Sequence, residues 1–224
     1  TSPANDPYVI TVGAMKDGAT VSRADDAMTS YSSKGPTLID RVVKPDLVAP
    51  GNHIISAASR NTTLHTRYPK NQVSKNYYVT SNTTTTSGDY FRLSGTSMAA
   101  PMVSGAAALL LQKNSKLTPD QVKAILMQTA SKAFPASSHA IDPQTGTVYT
   151  IQNDVFTVGA GYLDIAAAIS TSTIPPAGKS AKSPSVVYDP ATKTVRLNNA
   201  TLAIGGSSGL WGTSVLWGTS VVWG

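Results

Sequence analysis

The stretch from Ser97 to Lys113 constrains this chain more than any other. Nearly every residue in it is apolar or small, whichever face of a helical wheel it falls on, so it reads as a helix buried all round. Gly105, Ala106, Ala107 and Ala108 keep its flanks thin enough for close approach by neighbouring elements. Pro101 is tolerated if the helix starts near Ser97, because the first turn has no internal partners for its N–H groups. Ser97 then stands at the N-terminal edge of a central helix. It follows a glycine turn, Ser94-Gly95-Thr96, and the strand-like run Tyr90-Phe91-Arg92-Leu93.

Around that helix the chain alternates strands and helices. Tyr8 to Ala14 is a β-rich run beside Gly13 and reads as a buried strand. Asp46 to Ala49 and Ile54 to Ala57 are two more short strands, separated by Pro50-Gly51. Residues 59 to 89 are rich in Ser, Thr, Asn and Lys and read as a long surface excursion. Thr118, Pro119 and Gln121 give a cap, a first-turn proline and a capping-box glutamine, and Leu117 with Val122 supplies a hydrophobic staple. Val122, Ile125 and Leu126 recur at helical spacing, with Lys123 and Gln128 between them, which predicts an amphipathic helix on the outside of the core. Leu163 to Ile169 suggests a last short helix. The alternation predicts an α/β fold with a mostly parallel sheet, in which sites lie at the carboxyl ends of strands.

The main domain is expected to span residues 1–172, followed by a linker at 173–185 marked by Pro175-Pro176-Ala177-Gly178. A small β extension covers 186–224. In it, Val186 to Tyr188 and Thr194 to Leu197 flank a turn like a hairpin. Trp211-Gly212-Thr213-Ser214-Val215-Leu216 then recurs as Trp217-Gly218-Thr219-Ser220-Val221-Val222 before Trp223-Gly224. In a strand this repeat puts its tryptophans on one face, which packs on the core or on a partner.

Composition narrows the function classes. No run of about 18 or more apolar residues could span a bilayer. The chain has no cysteine, which excludes disulfides and thiolate chemistry and leaves the compartment open. Its formal charge is +6, but the basic residues are scattered singly along the sequence, a pattern that points away from a nucleic-acid partner. A serine at a helix start is usually a cap. The same position also suits a nucleophile, since the helix N-terminus favours negative charge and the backbone N–H can hold a developing oxyanion.

Ser94-Gly95-Thr96-Ser97-Met98-Ala99-Ala100-Pro101 resembles the nucleophile motif of the subtilisin-like serine protease family. Lys44-Pro45-Asp46-Leu47-Val48-Ala49-Pro50-Gly51 is similar to the family's strand before the nucleophile, and Tyr8 to Ala14 to an earlier strand. Gly159-Ala160-Gly161-Tyr162-Leu163-Asp164 resembles its closing segment, so about residues 1 to 170 are covered. The resemblance implies the C-terminal half of that three-layer fold, with Ser97 as catalytic nucleophile of a secreted endopeptidase acting on protein or peptide substrates. In the family's order the aspartate, histidine and oxyanion-hole asparagine come before the serine. None of their motifs occurs here. His53, His65 and His139 read as exposed loop histidines, Asp46 as structural, and Asn52 follows the wrong strand for an oxyanion role.

The expectation is that the missing half precedes Thr1 and that this chain alone is inactive, because serine is a weak nucleophile without a base. The chemistry requires no cofactor. The resemblance allows structural calcium without locating it, and Asp142 and Asp154 read as surface carboxylates. A non-catalytic binding module on the same scaffold, or an attachment role centred on the tryptophan repeat, are the alternatives.

Overall fold

A computed structural model describes residues 1–80, 85–133, 135–142, 144–191 and 194–198. The tryptophan repeat lies outside the described residues. The elements are β1 (Val12–Lys16), β2 (Ala27–Met28), β3 (Leu47–Pro50), β4 (Ile54–Ala57), α1 (Thr63–Arg67), β5 (Gln72–Ser74), β6 (Thr86–Leu93), α2 (Thr96–Lys113), α3 (Pro119–Thr129), β7 (Ser137–Ile141), β8 (Val148–Gln152), α4 (Val155–Val158), α5 (Ile165–Ser170), β9 (Val186–Asp189) and β10 (Thr194–Leu197).

The central sheet has the order β2-β1-β3. β1 and β3 are parallel, in register from Val12 opposite Leu47 to Met15 opposite Pro50, and a parallel bridge from Val48 to Tyr162 extends the sheet beyond β3. Side-chain alternation divides the sheet between two cores. Ala14, Leu47 and Ala49 face a cluster that includes Ala99, Val103, Ala106 and Leu110 of α2 and Ile125 and Leu126 of α3. Met15 and Val48 face a second cluster with Met28, Ile151, Val158 and Tyr162. Helices α2, α3 and α5 therefore form one layer and the sheet another, with the β7–β8 hairpin on the far side. Among the described residues, parallel pairing is confined to this centre. The sheets β4-β6-β5, β7-β8 and β9-β10 are antiparallel.

The two long helices exchange the environments expected of them. Only Ala99, Val103, Ala106 and Leu110 of α2 are buried, a single stripe, while Leu109 and Leu111 are each 41% exposed. In α3, by contrast, every residue from Gln121 to Met127 is buried. The polar residues of α3 are enclosed because each finds partners. Gln121 Nε2 donates to Pro175 O at 2.7 Å, and Lys123 Nζ donates to Pro7 O, Val9 O and Ser183 Oγ at 2.8 to 2.9 Å. Pro101 lies in the second turn of α2, not the first, so the Ser97 carbonyl lacks the N–H that a helix would bring four residues later.

Other differences have similarly local causes. The first strand begins at Val12 rather than Tyr8, since the carbonyls of Pro7 and Val9 accept from lysine ammoniums instead of a strand. The excursion between β4 and β6 carries its own small sheet over a core of Val73, Phe91 and His65. His65 is therefore buried, contrary to the loop reading, whereas His53 and His139 are exposed. The segment read as a linker is tied down. Ser183 N donates to Pro7 O, Val43 N to Pro184 O and Val186 N to Arg41 O, and Ala181, Val186 and Val195 join the α2–α3 core.

Candidate active site

Ser97 is the second residue of α2 and is exposed, beside the loop from β6 that hydrogen-bonds Gly51 just after β3. The loop that presents it is held from three directions. Gly95 N donates to Gly51 O at 2.8 Å, Tyr31 Oη donates to the same carbonyl at 3.0 Å, and His53 N donates to Ser94 Oγ at 2.9 Å. Burial pushes the Tyr31 phenol up, so it stays a neutral donor. The sequence at Tyr31, far from the nucleophile motif and in a polar loop, carries no signal of this role.

The helix makes its first internal bonds from Met98 N and Ala99 N to Gly95 O, and among the described residues the N–H groups of Thr96 and Ser97 have no backbone acceptor. Together with the positive end of α2, these donors form a preorganised environment for negative charge next to the Ser97 hydroxyl. The serine opens onto a cleft of about 830 Å³, bounded by Thr96 and Ala100 of α2, by Ile10 to Gly13 and by the loop around Gly35 and Pro36. Such a volume accommodates several residues of an extended peptide.

The other candidates lie elsewhere or do other work. Asp46 is fully buried behind the sheet, where Lys44 Nζ and Lys123 Nζ stand 2.8 and 3.3 Å from its carboxylate. Thr11 N and Ser183 Oγ donate to it as well, so it is a structural hub. His53 reaches the nucleophile loop only through its backbone N–H, and among the described residues no side chain hydrogen-bonds the Ser97 hydroxyl. Asn52 Oδ1 lies 3.5 Å from Tyr31 Oη, at the limit of a hydrogen bond. Asp142 organises its own turn through Gln144 N and Thr145 N, which holds its carboxyl below the usual range. Asp154 accepts from Thr157 Oγ1 at the start of α4. Neither belongs to a cluster of three or more metal-ligating side chains among the described residues. No helix among those residues is long and apolar enough to cross a membrane.

Comparison with known proteins places this geometry in context. A model of the subtilase family matches residues 1–161. Over 131 residues the chain is 42% identical to serine protease AprX of Bacillus subtilis (strain 168), covering 58% of this chain and 26% of that protein. It is 30% identical over 172 residues to subtilisin-like protease SBT4.10 of Arabidopsis thaliana, covering 74% of this chain and 20% of the relative. The chain thus spans about a quarter or less of the length of these relatives. In fold it is similar to fervidolysin from Fervidobacterium pennivorans, described as a keratinolytic enzyme related to subtilisin, with a TM-score of 0.50 at 24% identity over 84% of this chain and 21% of that one.

Proposed function

The chain belongs to the subtilase family, and from that premise we propose that it is the nucleophile-bearing part of a serine endopeptidase that hydrolyses peptide bonds through an acyl-enzyme at Ser97. The observation that carries this reading is an exposed serine beside a pinned glycine loop, at the N-terminus of a helix, opening onto a cleft of about 830 Å³. A histidine base takes the hydroxyl proton as Ser97 Oγ attacks the substrate carbonyl. Negative charge then develops on the carbonyl oxygen beside the first N–H groups of α2. The base returns its proton to the leaving amine, and water releases the acyl group by the reverse path.

The aspartate, histidine and oxyanion asparagine come from a segment outside these 224 residues. The uncovered face of α2 supports this, because Met102, Gly105, Ala108, Leu109 and Ile165 border a largely apolar groove that such a segment would cover. Export to the cell exterior and action on protein substrates follow from the same reading.

The test is covalent labelling with a fluorophosphonate probe. The full-length protein, the 224-residue chain and their Ser97→Ala forms are compared, and mass spectrometry identifies every chain present. Labelling of the full-length protein at Ser97, lost in Ser97→Ala and absent from the isolated chain, is the expected result. A folded full-length protein that is not labelled would point instead to a binding module on the same scaffold.

A further inference from the structure

The excursion between β4 and β6 holds a concentration of charge that is hard to see in the sequence. Between residues 59 and 93 stand Arg60, Arg67, Lys70, Lys75 and Arg92 against a single acidic residue, Asp89, so most of the chain's formal charge of +6 sits on this one small annex. Asp89 is already engaged, with Arg60 Nε 2.6 Å from its carboxylate. Arg60 and Lys75, together with His65, Gln72 and Thr86, line a polar cavity of about 320 Å³. His65 is 8% exposed. Its Nδ1 hydrogen-bonds Thr62 Oγ1 at 2.8 Å, while its Nε2 has no hydrogen-bonding partner among the described residues. The annex also exposes Tyr68, Tyr77, Tyr78 and Tyr90, with the Arg92 guanidinium 5.7 Å from the Tyr77 ring centroid. Tyrosine and arginine at an exposed patch are the composition of a recognition surface.

The annex is joined directly to the nucleophile, since β6 ends at Leu93 and Ser94 begins the loop. Thr86 at the cavity lies seven residues back along β6. At a rise of about 3.3 Å per residue β6 carries the chain roughly 23 Å from Thr86 to Leu93, four residues short of Ser97, and an extended peptide needs about seven residues to match that strand alone. We propose that the annex is a secondary binding site for acidic side chains of protein substrates, engaging a carboxylate about seven or more residues from the scissile bond. The proposal rests on the protease reading for its substrate. Its basic cavity, and the excess of cations over Asp89, select aspartate and glutamate by charge and by hydrogen bonding.

The test uses the full-length protease and quenched fluorescent peptides of about 20 residues. These carry an Asp-Asp pair, or Ser-Ser in its place, either two or seven residues from the cleavage point on each side. The expected result is a kcat/KM on the order of tenfold higher for the distal Asp-Asp peptide on one side, with the acidic-to-neutral ratio falling to about one in Lys75→Gln. Equal rates for the distal pair, or a ratio unchanged in Lys75→Gln, overturns the proposal while leaving the protease reading intact. A second arm measures fluorescence anisotropy of the labelled acidic peptide on the Ser97→Ala protein. Salt-sensitive binding that weakens in Lys75→Gln supports the annex even if no peptide is hydrolysed. An oligonucleotide that binds the same residues more tightly than the peptide overturns the assignment in favour of nucleic acid.

Discussion

A Cβ added at Gly51 would stand 2.8 Å from Ala14 Cβ, 2.9 Å from the Gly95 carbonyl oxygen and 3.1 Å from Ala99 Cβ. Two of these neighbours are packed side chains and the third is the backbone of the nucleophile loop, so any relief must move the start of α2. Gly51→Ala is therefore expected to keep the fold and to lower the rate of fluorophosphonate labelling at Ser97 by about 100-fold, since displacements of about 1 Å at a reacting group have effects of that size. Near-normal labelling with unchanged stability would show that the loop tolerates the shift. Gly159 makes a different demand. Its φ is +59°, and a Cβ there would lie 2.4 Å from Pro45 O and 2.5 Å from Asp46 O, so Gly159→Ala should prevent folding rather than tune activity. Denaturant midpoints separate the two glycines. Ser94 in the motif around Ser97 and Gly51 in the preceding strand motif were legible in the sequence, but Tyr31, and the bonds that tie these segments together, become visible only in the fold.

Between elements, the cap of α3 was fully legible. Thr118 Oγ1 accepts from Gln121 N at 3.2 Å and Gln121 Oε1 accepts from Thr118 N at 3.0 Å, the reciprocal pair its spacing predicts. Thr118→Ala should cost about 1 kcal/mol, read as a fall in the urea midpoint at constant slope. A loss below a few tenths would mean that burial of Gln121 to Met127 alone sets the helix start. The burial of α3 itself was not legible, because an isolated Lys123 on a helix reads as a solvent face. It became interior through acceptors supplied by Pro7, Val9 and Ser183, more than 50 residues away in sequence. The error at α2 has the opposite sign. Its small residues do specify close packing on all sides, and the described residues supply partners for only one stripe. The β7–β8 hairpin went unread because Ser137 to Ile141 and Val148 to Gln152 are polar or exposed on most positions and lack the alternation of a half-buried strand.

For the molecule as a whole, the buried Lys123 and the half-buried Lys132 set the response to pH above neutrality. Burial lowers Lys123 to about 8, against the opposing pull of Asp46 and with Lys44 and Asp120 nearby, and burial alone lowers Lys132 to about 8. Below about pH 8 both are protonated whether the chain is folded or unfolded, so the full cost of burying the charge is present. Between about 8 and 10.5 the folded protein gives up these protons first and the unfolded chain binds more, so stability rises with pH. Tyr162 acts oppositely above about pH 10, because burial raises its phenol and the folded state then holds the extra proton. The urea midpoint is expected to climb from pH 7.5 to 9.5 and to turn over only above about pH 10.5. A flat or falling midpoint across the first interval, or a climb equally steep in Lys132→Met, would contradict this account. The ammonium of Lys123 has a further consequence, for biosynthesis. Its acceptors come from residues 7 and 9, before α3 in the sequence, and from Ser183, well after it. A ribosome that has released the chain only as far as residue 170 of this sequence holds an α3 whose Lys123 still lacks the Ser183 acceptor, so β1 is expected to stay protease-sensitive on stalled nascent chains until the segment around Ser183 has cleared the exit tunnel.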